Sequence, residues 1–219
     1  MVEHTKITPA LRFDRLTPLY DHIVRYTTRE RRFKSILLKT AAIKRGESIL
    51  DVGCGTGTLL QSIAEQQSAV QLTGLDADPA ILAIADRKLS AANISYNLVL
   101  GRSTDMAFDD ETFDRVVSTL FFHHLVTAEK RATVAEIARV LRPGGAAHIA
   151  DWGRPTGPLQ RLAFYQIQLL DGFASTRDHV AGKLTSLFSE AGFQEVEEFA
   201  HLRTVFGTLR FISAVKPLN

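Results

Sequence analysis

Residues 49–57 read ILDVGCGTG, an apolar run that enters a loop with glycine at every second position: Gly53, Gly55 and Gly57. The segment TLLQSIAEQ (58–66) follows at once with the spacing of a helix. A strand, a tight glycine turn and a helix N-terminus together form a cradle for an adenosine-containing ligand. Glycine lets the chain turn sharply and leaves no Cβ between backbone N–H groups and whatever binds there. Asp51 places a carboxylate beside that cradle. The spacing D-x-G-x-G-x-G differs from the dinucleotide pattern G-x-G-x-x-G, which would require glycine at position 58, where the chain has Thr58.

Working outward, the elements alternate as expected of a doubly wound, mostly parallel sheet. VQLTGLD (70–76) is predicted as a second strand, and Asp78-Pro79 as the N-cap and first turn of a helix that turns Ile81, Leu82, Ala85 and Leu89 inward. ISYNLVLG (94–101) and FDRVVSTLFF (113–122) are predicted as the third and fourth strands. Residues 128–141 form a helix with Val134, Ile137, Ala138 and Leu141 on one stripe. The turn Arg142-Pro143-Gly144-Gly145 then leads to a fifth strand, AAHIAD (146–151). A broadly apolar helix, LQRLAFYQIQLLDGF, follows, then a helix with Leu184, Leu187, Phe188 and Ala191 at core spacing. Two final strands, 193–201 and 205–216, close the chain. Before Arg45 the chain reads as N-terminal helices.

Bulk properties set the outer limits. A chain of 219 residues with 45% hydrophobic and 23% charged content reads as one globular α/β domain. No apolar run suits a signal peptide or a membrane span, so a cytoplasmic protein without an integral membrane segment is expected. The lone cysteine, Cys54, excludes an intramolecular disulfide and a cysteine metal cluster. It also disfavours chemistry that uses a cysteine nucleophile or a cysteine cluster. The net charge of +2 is too small to argue for nucleic acid on its own. Basic residues do gather between Arg25 and Arg45, as the solvated face of a helix or as a contact for an anionic substrate or membrane surface. No stacking platform accompanies them, and nucleic acid is not expected.

Five segments, in order, resemble the class I S-adenosylmethionine-dependent methyltransferases. They are the glycine motif, Asp76 at the end of the second strand, GRSTDMAFDDETFD (101–114), FDRVVSTLFFHHL (113–125) and RVLRPGGAAHIAD (139–151). The closest flavour is the small-molecule branch that includes ubiquinone and menaquinone C-methyltransferases. The resemblance implies an α/β fold with a seven-stranded sheet, mostly parallel, an antiparallel final strand and N-terminal helices. It divides the single domain into a helical cap (1–45), a cofactor-binding core (46–151), a lid insert (152–182) and a last helix with hairpin (183–219).

S-adenosyl-L-methionine is the implied cofactor. Its implied contacts are Asp51, Gly53, Gly55, Thr56, Gly57, Asp76, Ala77, Arg102, Ser103 and Thr119. Asp76 stands 19 residues after Gly57, about the spacing at which an acid meets a ribose in nucleotide-binding units. Arg102 departs from the family's usual aspartate and has no acceptor for the adenine amino group. It leaves stacking on the base, or solvent, for its own side chain and recognition of the base to Ser103 and the backbone. The implied reaction is methyl transfer to O or C of a small apolar or aromatic metabolite. Alternatives are a non-catalytic cofactor-binding scaffold and, with less support from the glycine spacing, a nicotinamide-dependent oxidoreductase.

Methyl transfer from a sulfonium demands alignment above all, and a general base where the acceptor is a phenol, enol or activated carbon. His124, His123 and Asp151 are the catalytic candidates, each at the carboxyl edge of the sheet. Each also has a plain structural role open to it, as a helix cap, a turn residue or a packed side chain. Tyr20, His22 and Trp152 are candidates for substrate contact. The pair of acid and amide that catechol-type enzymes use for a metal is absent after the fifth strand, where Trp152 follows Asp151, so no metal is implied. The acceptor and the oligomeric state stay open.

Overall fold

The computed structural model describes residues 29–218. Tyr20, His22 and Arg25 lie outside the described residues. The parallel strands read as near-continuous apolar runs because helices cover both faces of the sheet, so neither face alternates with polar residues. In β1 (Ser48–Val52) all five residues are buried. The remaining strands are β2 (Gln71–Asp76), β3 (Asn97–Leu100), β4 (Phe113–Thr119), β5 (Leu141–Trp152), β6 (Gln194–Arg203) and β7 (Thr208–Val215). Their order across the sheet is β3-β2-β1-β4-β5-β7-β6. Neighbours from β3 to β5 pair in parallel, and β7 alone runs against its two neighbours. The seven-stranded, mostly parallel sheet expected from sequence is therefore present.

The chain winds outward from β1 to β3 and then returns to place β4 on the other side of β1. That reversal opens a crevice at the carboxyl ends of β1 and β4, where ligands bind in open α/β sheets. One face of the sheet is covered by α1 (Glu30–Ala41), α2 (Thr58–Gln66), α3 (Pro79–Ala91) and α5 (Pro158–Asp171), through Phe33, Leu37, Leu60, Ile63, Leu89 and Phe164. The other is covered by α4 (Thr127–Val140) and α7 (Leu184–Glu190), through Val134, Ile137, Leu184, Leu187 and Phe188. Between α5 and α7 lies α6 (Phe173–Ala181). Asp78 caps α3 as expected, its carboxylate accepting from the N–H groups of Ala80 at 2.8 Å and Ile81 at 3.4 Å.

Several boundaries differ from the sequence reading, each for a local reason. Strand β4 stops at Thr119 rather than 122, because Leu120 takes a φ of 52° and Phe122–His124 winds into a single 3₁₀ turn. Leu141 is the first residue of β5 and pairs with Phe113, so it is not on the helical stripe. The segment 142–145 bulges within β5, held by reciprocal backbone hydrogen bonds between Lys216 and the pair Gly144 and Gly145. The expected single helix 159–173 is two, broken at Gly172, whose φ of 97° suits glycine. On α1 the basic cluster is mostly exposed, yet Lys34 is buried on the same stripe as Leu37, Leu38 and Ala41, with Glu30 as its partner at 2.5 Å.

His148, in the middle of β5, is 5% exposed and its Nδ1 has no partner. Burial, followed by the charge of Arg115, pushes its pKa down to about 4. A folded-state value below the ordinary one means that the unfolded chain takes up the proton first. Stability from the neutral ring is then complete above pH 6.5 and falls as pH drops through 4. Urea unfolding of His148→Leu should show the loss between pH 7 and 4.5 reduced by about 2–3 kcal/mol relative to wild type. An equally steep acid limb in the variant would show that His148 is not its source.

Candidate active site

The glycine turn leaves β1 at the crevice. Gly53 has φ of 70°, and a Cβ there would lie 2.2 Å from Cδ2 of Phe121, so only glycine lets the two loops approach. The N–H groups of Gly53 and Cys54 both donate to the carbonyl of Leu75 at 2.8 and 3.0 Å, which ties the turn to the end of β2. Gly55 has φ of 53° and open space where a Cβ would stand. Gly57 begins α2. Cys54 is buried, and burial raises its thiol pKa, so it stays protonated and is no nucleophile.

Two carboxylates face this turn in different states. Asp76, at the end of β2, accepts from Gly55 N–H at 2.9 Å on one oxygen and from Asp78 N–H at 3.1 Å on the other. Burial raises its pKa, and those backbone N–H groups oppose the rise. Each of its oxygens keeps a lone pair for a further donor. Asp51 is 1% exposed, and neither of its oxygens has a hydrogen-bond partner. Burial pushes its pKa up to about 7, against the attraction of the Lys34 ammonium. A buried, unpartnered carboxylate fits a cationic group arriving from outside, and Asp76 fits a pair of hydroxyls. S-adenosyl-L-methionine carries both, an α-ammonium and a ribose diol, so these residues fit it.

The other predicted contacts divide. Thr56 Oγ1 meets Thr58 Oγ1 at 3.2 Å and accepts from Lys88 of α3 at 2.9 Å. Ala77 and Thr119 are half-buried at the ends of β2 and β4. The Arg102 side chain, about half exposed, pairs with Glu129 at 3.3 Å. Ser103 turns its hydroxyl inward to Thr133 at 2.8 Å.

Beyond β4, the 3₁₀ turn brings the two candidate histidines against the end of β5. Asp151 is buried and its oxygens are already committed: Oδ1 faces His123 Nδ1 at 2.7 Å and accepts from Trp152 N–H at 2.6 Å. Its Oδ2 accepts from Phe121 N–H at 3.0 Å and His123 N–H at 3.4 Å. Burial works against its charge, yet the His123 ring and these donors hold its pKa well below the usual carboxylate range. Burial likewise disfavours charge on His123, but Asp151 and then Asp171 raise its pKa above the ordinary value. For His124 burial and the neighbouring His123 win, and its pKa is lowered. The His124 side chain is 34% exposed, and Nδ1 lies 3.4 Å from Asp171. Trp152 is 3% exposed, packed against Phe164 with ring centroids 5.9 Å apart.

Three residues of this neighbourhood escaped the sequence reading. Lys34 was visible as the one charge on the apolar stripe of α1, and Asp171 as the sole acid between residues 159 and 173. His179 carried no signal. It donates from Nδ1 to the Trp152 carbonyl at 2.5 Å, its Nε2 has no partner, and burial pushes its pKa down to about 4.

The doubly wound sheet, the D-x-G-x-G-x-G turn and the acid at the end of β2 define a class I S-adenosylmethionine-dependent methyltransferase fold. Comparison with known proteins agrees. Residues 49–145 match the family described as a methyltransferase domain. An uncharacterized methyltransferase, sll0829, of Synechocystis is 30% identical over 188 residues, covering 84% of this chain and 83% of the relative. A 2-phytyl-1,4-naphtoquinone methyltransferase of Synechococcus elongatus is 32% identical over 164 residues, 72% of this chain and 68% of that protein. Among solved structures, a phosphoethanolamine N-methyltransferase of Haemonchus contortus in complex with S-adenosyl-L-methionine superposes with a TM-score of 0.64 at 19% identity. That match spans 85% of this chain and 52% of the other. The chain belongs to the S-adenosylmethionine-dependent methyltransferases, and transfers a methyl group from that cofactor to a small molecule. Among the described residues no helix is long and apolar enough to cross a membrane.

Proposed function

We propose that the acceptor is a hydroxylated aromatic ring of the naphthoquinol kind, methylated at carbon or oxygen, and that its proton passes to His124. The observation that carries this reading is the cluster of His123, His124, Asp151 and Asp171 at the mouths of β4 and β5. Phe121, two residues before His123, packs against the glycine turn, so cofactor and acceptor would meet across that contact. The named naphthoquinone relative supports the same acceptor class.

When bound, the cofactor supplies a methyl group on a sulfonium, an electrophile with a neutral leaving group. The chain's part is to hold and orient it. Gly53, Gly55, Thr56 and Gly57 would cradle its amino-acid end, with Thr119 across the crevice. Asp51 would hold the α-ammonium, Asp76 would accept from the ribose hydroxyls, and Ala77, Ser103 and Arg102 would border the base. His124 is neutral near pH 7 because its pKa is lowered, which leaves a nitrogen free to take the acceptor's proton. Asp151 orients His123 and is held too acidic to serve as the base. Trp152 walls the pocket from within the core rather than stacking on substrate at the surface.

The insert 152–182 acts as the lid. Leu159, Leu162, Leu169, Leu170 and Phe173 are each more than half exposed on it, an apolar face suited to a substrate with a hydrocarbon tail. Among the described residues, α1 packs on the core (46–151), and the last helix and hairpin, from residue 183 on, complete the single domain. The buried, unpaired cysteine accords with a cytoplasmic setting, and no nucleic-acid partner is invoked.

The test is transfer of labelled methyl to a panel of reduced naphthoquinones by wild type and His124→Gln. The variant should lose about 100- to 1,000-fold in kcat, with affinity for S-adenosylhomocysteine unchanged. Retained kcat would remove His124 from the chemistry. Failure of every quinol alongside intact cofactor binding would reject the acceptor class.

A further inference from the structure

We infer that His123, His124 and Asp171 form a binding site for one divalent first-row transition ion of the zinc type, with Asp151 as its orienting carboxylate. Among the described residues this is the one group of three such side chains whose ligand atoms converge, all within 4.8 Å of one another. Asp171 Oδ2 stands 3.6 Å from His123 Nε2, and Asp171 Oδ1 stands 3.4 Å from His124 Nδ1. Both separations exceed the usual range of an N–H···O hydrogen bond. They are close to the spacing of ligand atoms around a tetrahedral ion, about 3.4 Å for bonds of about 2.1 Å. The two rings lie 4.0 Å apart at their centroids, tilted by 40°, so both edges turn to the same carboxylate.

The surroundings are built as metal sites are built. A ligating imidazole usually gives its other N–H to a carboxylate, which fixes the tautomer. Here His123 Nδ1 faces Asp151 Oδ1 at 2.7 Å, which leaves the Nε2 lone pair for the site. Asp151 is itself locked by three backbone N–H groups. Asp171 is the last residue of α5, and the negative end of a helix dipole favours a cation there. The nearby ammonium of Lys130 is already engaged by Asp178 at 3.4 Å and the Ser175 carbonyl at 2.5 Å. Two imidazoles and one carboxylate select zinc-like ions over magnesium or calcium, which take oxygen ligands. Three protein ligands leave a position for an oxygen donor, so an ion here would polarise an acceptor oxygen in place of His124. The site follows β4 and α5 and is unrelated to the acid–amide pair that catechol-type enzymes carry after β5.

The experiment is calorimetric titration of the chelator-stripped full chain with zinc chloride, and with magnesium chloride as the contrast. One zinc ion per chain should bind, with no magnesium uptake at about 1 mM. Asp171→Asn and His124→Gln should each weaken zinc at least about 100-fold. Asp151→Asn should weaken it about 10- to 100-fold, and His201→Gln, exposed on β6, should change nothing. Each preparation is also titrated with S-adenosylhomocysteine, which reports folding and the cofactor site independently. If Asp171→Asn fails to fold, His124→Gln decides, since that side chain is one-third exposed. No saturable zinc binding, or equal binding in His124→Gln, would overturn the inference and leave the proton-acceptor reading intact. Zinc binding without S-adenosylhomocysteine binding would uphold this site while removing the cofactor assignment.

Discussion

Replacing Asp76 by alanine should weaken S-adenosylhomocysteine binding by at least about 100-fold while leaving a folded protein. Two hydrogen bonds to a charged acceptor are lost with the carboxylate, each worth about 1.5–3 kcal/mol, and tenfold in affinity corresponds to about 1.4 kcal/mol. The same substitution removes the acceptor for Gly55 N–H and Asp78 N–H, so the glycine turn is left with only its backbone ties to Leu75 at the end of β2. Asp76→Asn separates the two contributions. The amide oxygen can still accept from one backbone N–H, yet it brings no charge to the ribose, and an intermediate loss of about tenfold is expected. Calorimetry on the two variants, with circular dichroism to confirm folding, measures both. Unchanged affinity in Asp76→Ala would mean that the ribose lies elsewhere.

Asp51→Asn should abolish the pH dependence of cofactor binding and stabilise the empty protein in mild base. Burial holds the Asp51 carboxyl at about 7, above its ordinary 3.8. For an acid shifted upward, the folded state keeps its proton longer than the unfolded chain does. The stability that this confers is complete below about pH 4 and is lost as pH rises through 7. At pH 8 the wild type therefore carries a penalty on the order of 2–4 kcal/mol, which the asparagine variant escapes. An α-ammonium brought to Asp51 reverses the preference and drives the proton off. Affinity for S-adenosylhomocysteine should then rise about tenfold per pH unit up to 7 and level off above it. Calorimetry in buffers of different ionisation enthalpy should find close to one proton released at pH 6 and almost none at pH 8.5. If Asp51→Asn shows the same release, the titrating group is another.

Both predictions rest on residues that the sequence already singled out, whereas their electrostatic states come from the folded chain. Asp51 follows Leu50 in the motif, but its solitude is a tertiary fact: neither oxygen has a hydrogen-bond partner, and the charges that reach it are those of Lys34 and Asp76. Asp76 was legible because βαβ units put an acid at that distance from the glycine turn. The candidate histidines were legible as a pair next to β4. Their inequality was not, since Asp151 reaches His123 from 28 residues away and Asp171 reaches His124 from the end of α5.

Local chemistry in the sequence determined the succession of strands and helices through β5, the glycine turn, the cap at Asp78 and the position of the acid at Asp76. Those features depend on near neighbours and on period, so a linear reading reaches them. Long-range approach decided the rest: the break of the lid helix at Gly172, the early end of β4 at Leu120, and the ordering of four charged or imidazole side chains from three separate segments. Coulombic and desolvation effects act through space and take their size from burial, which the chain acquires only when its distant parts have packed together.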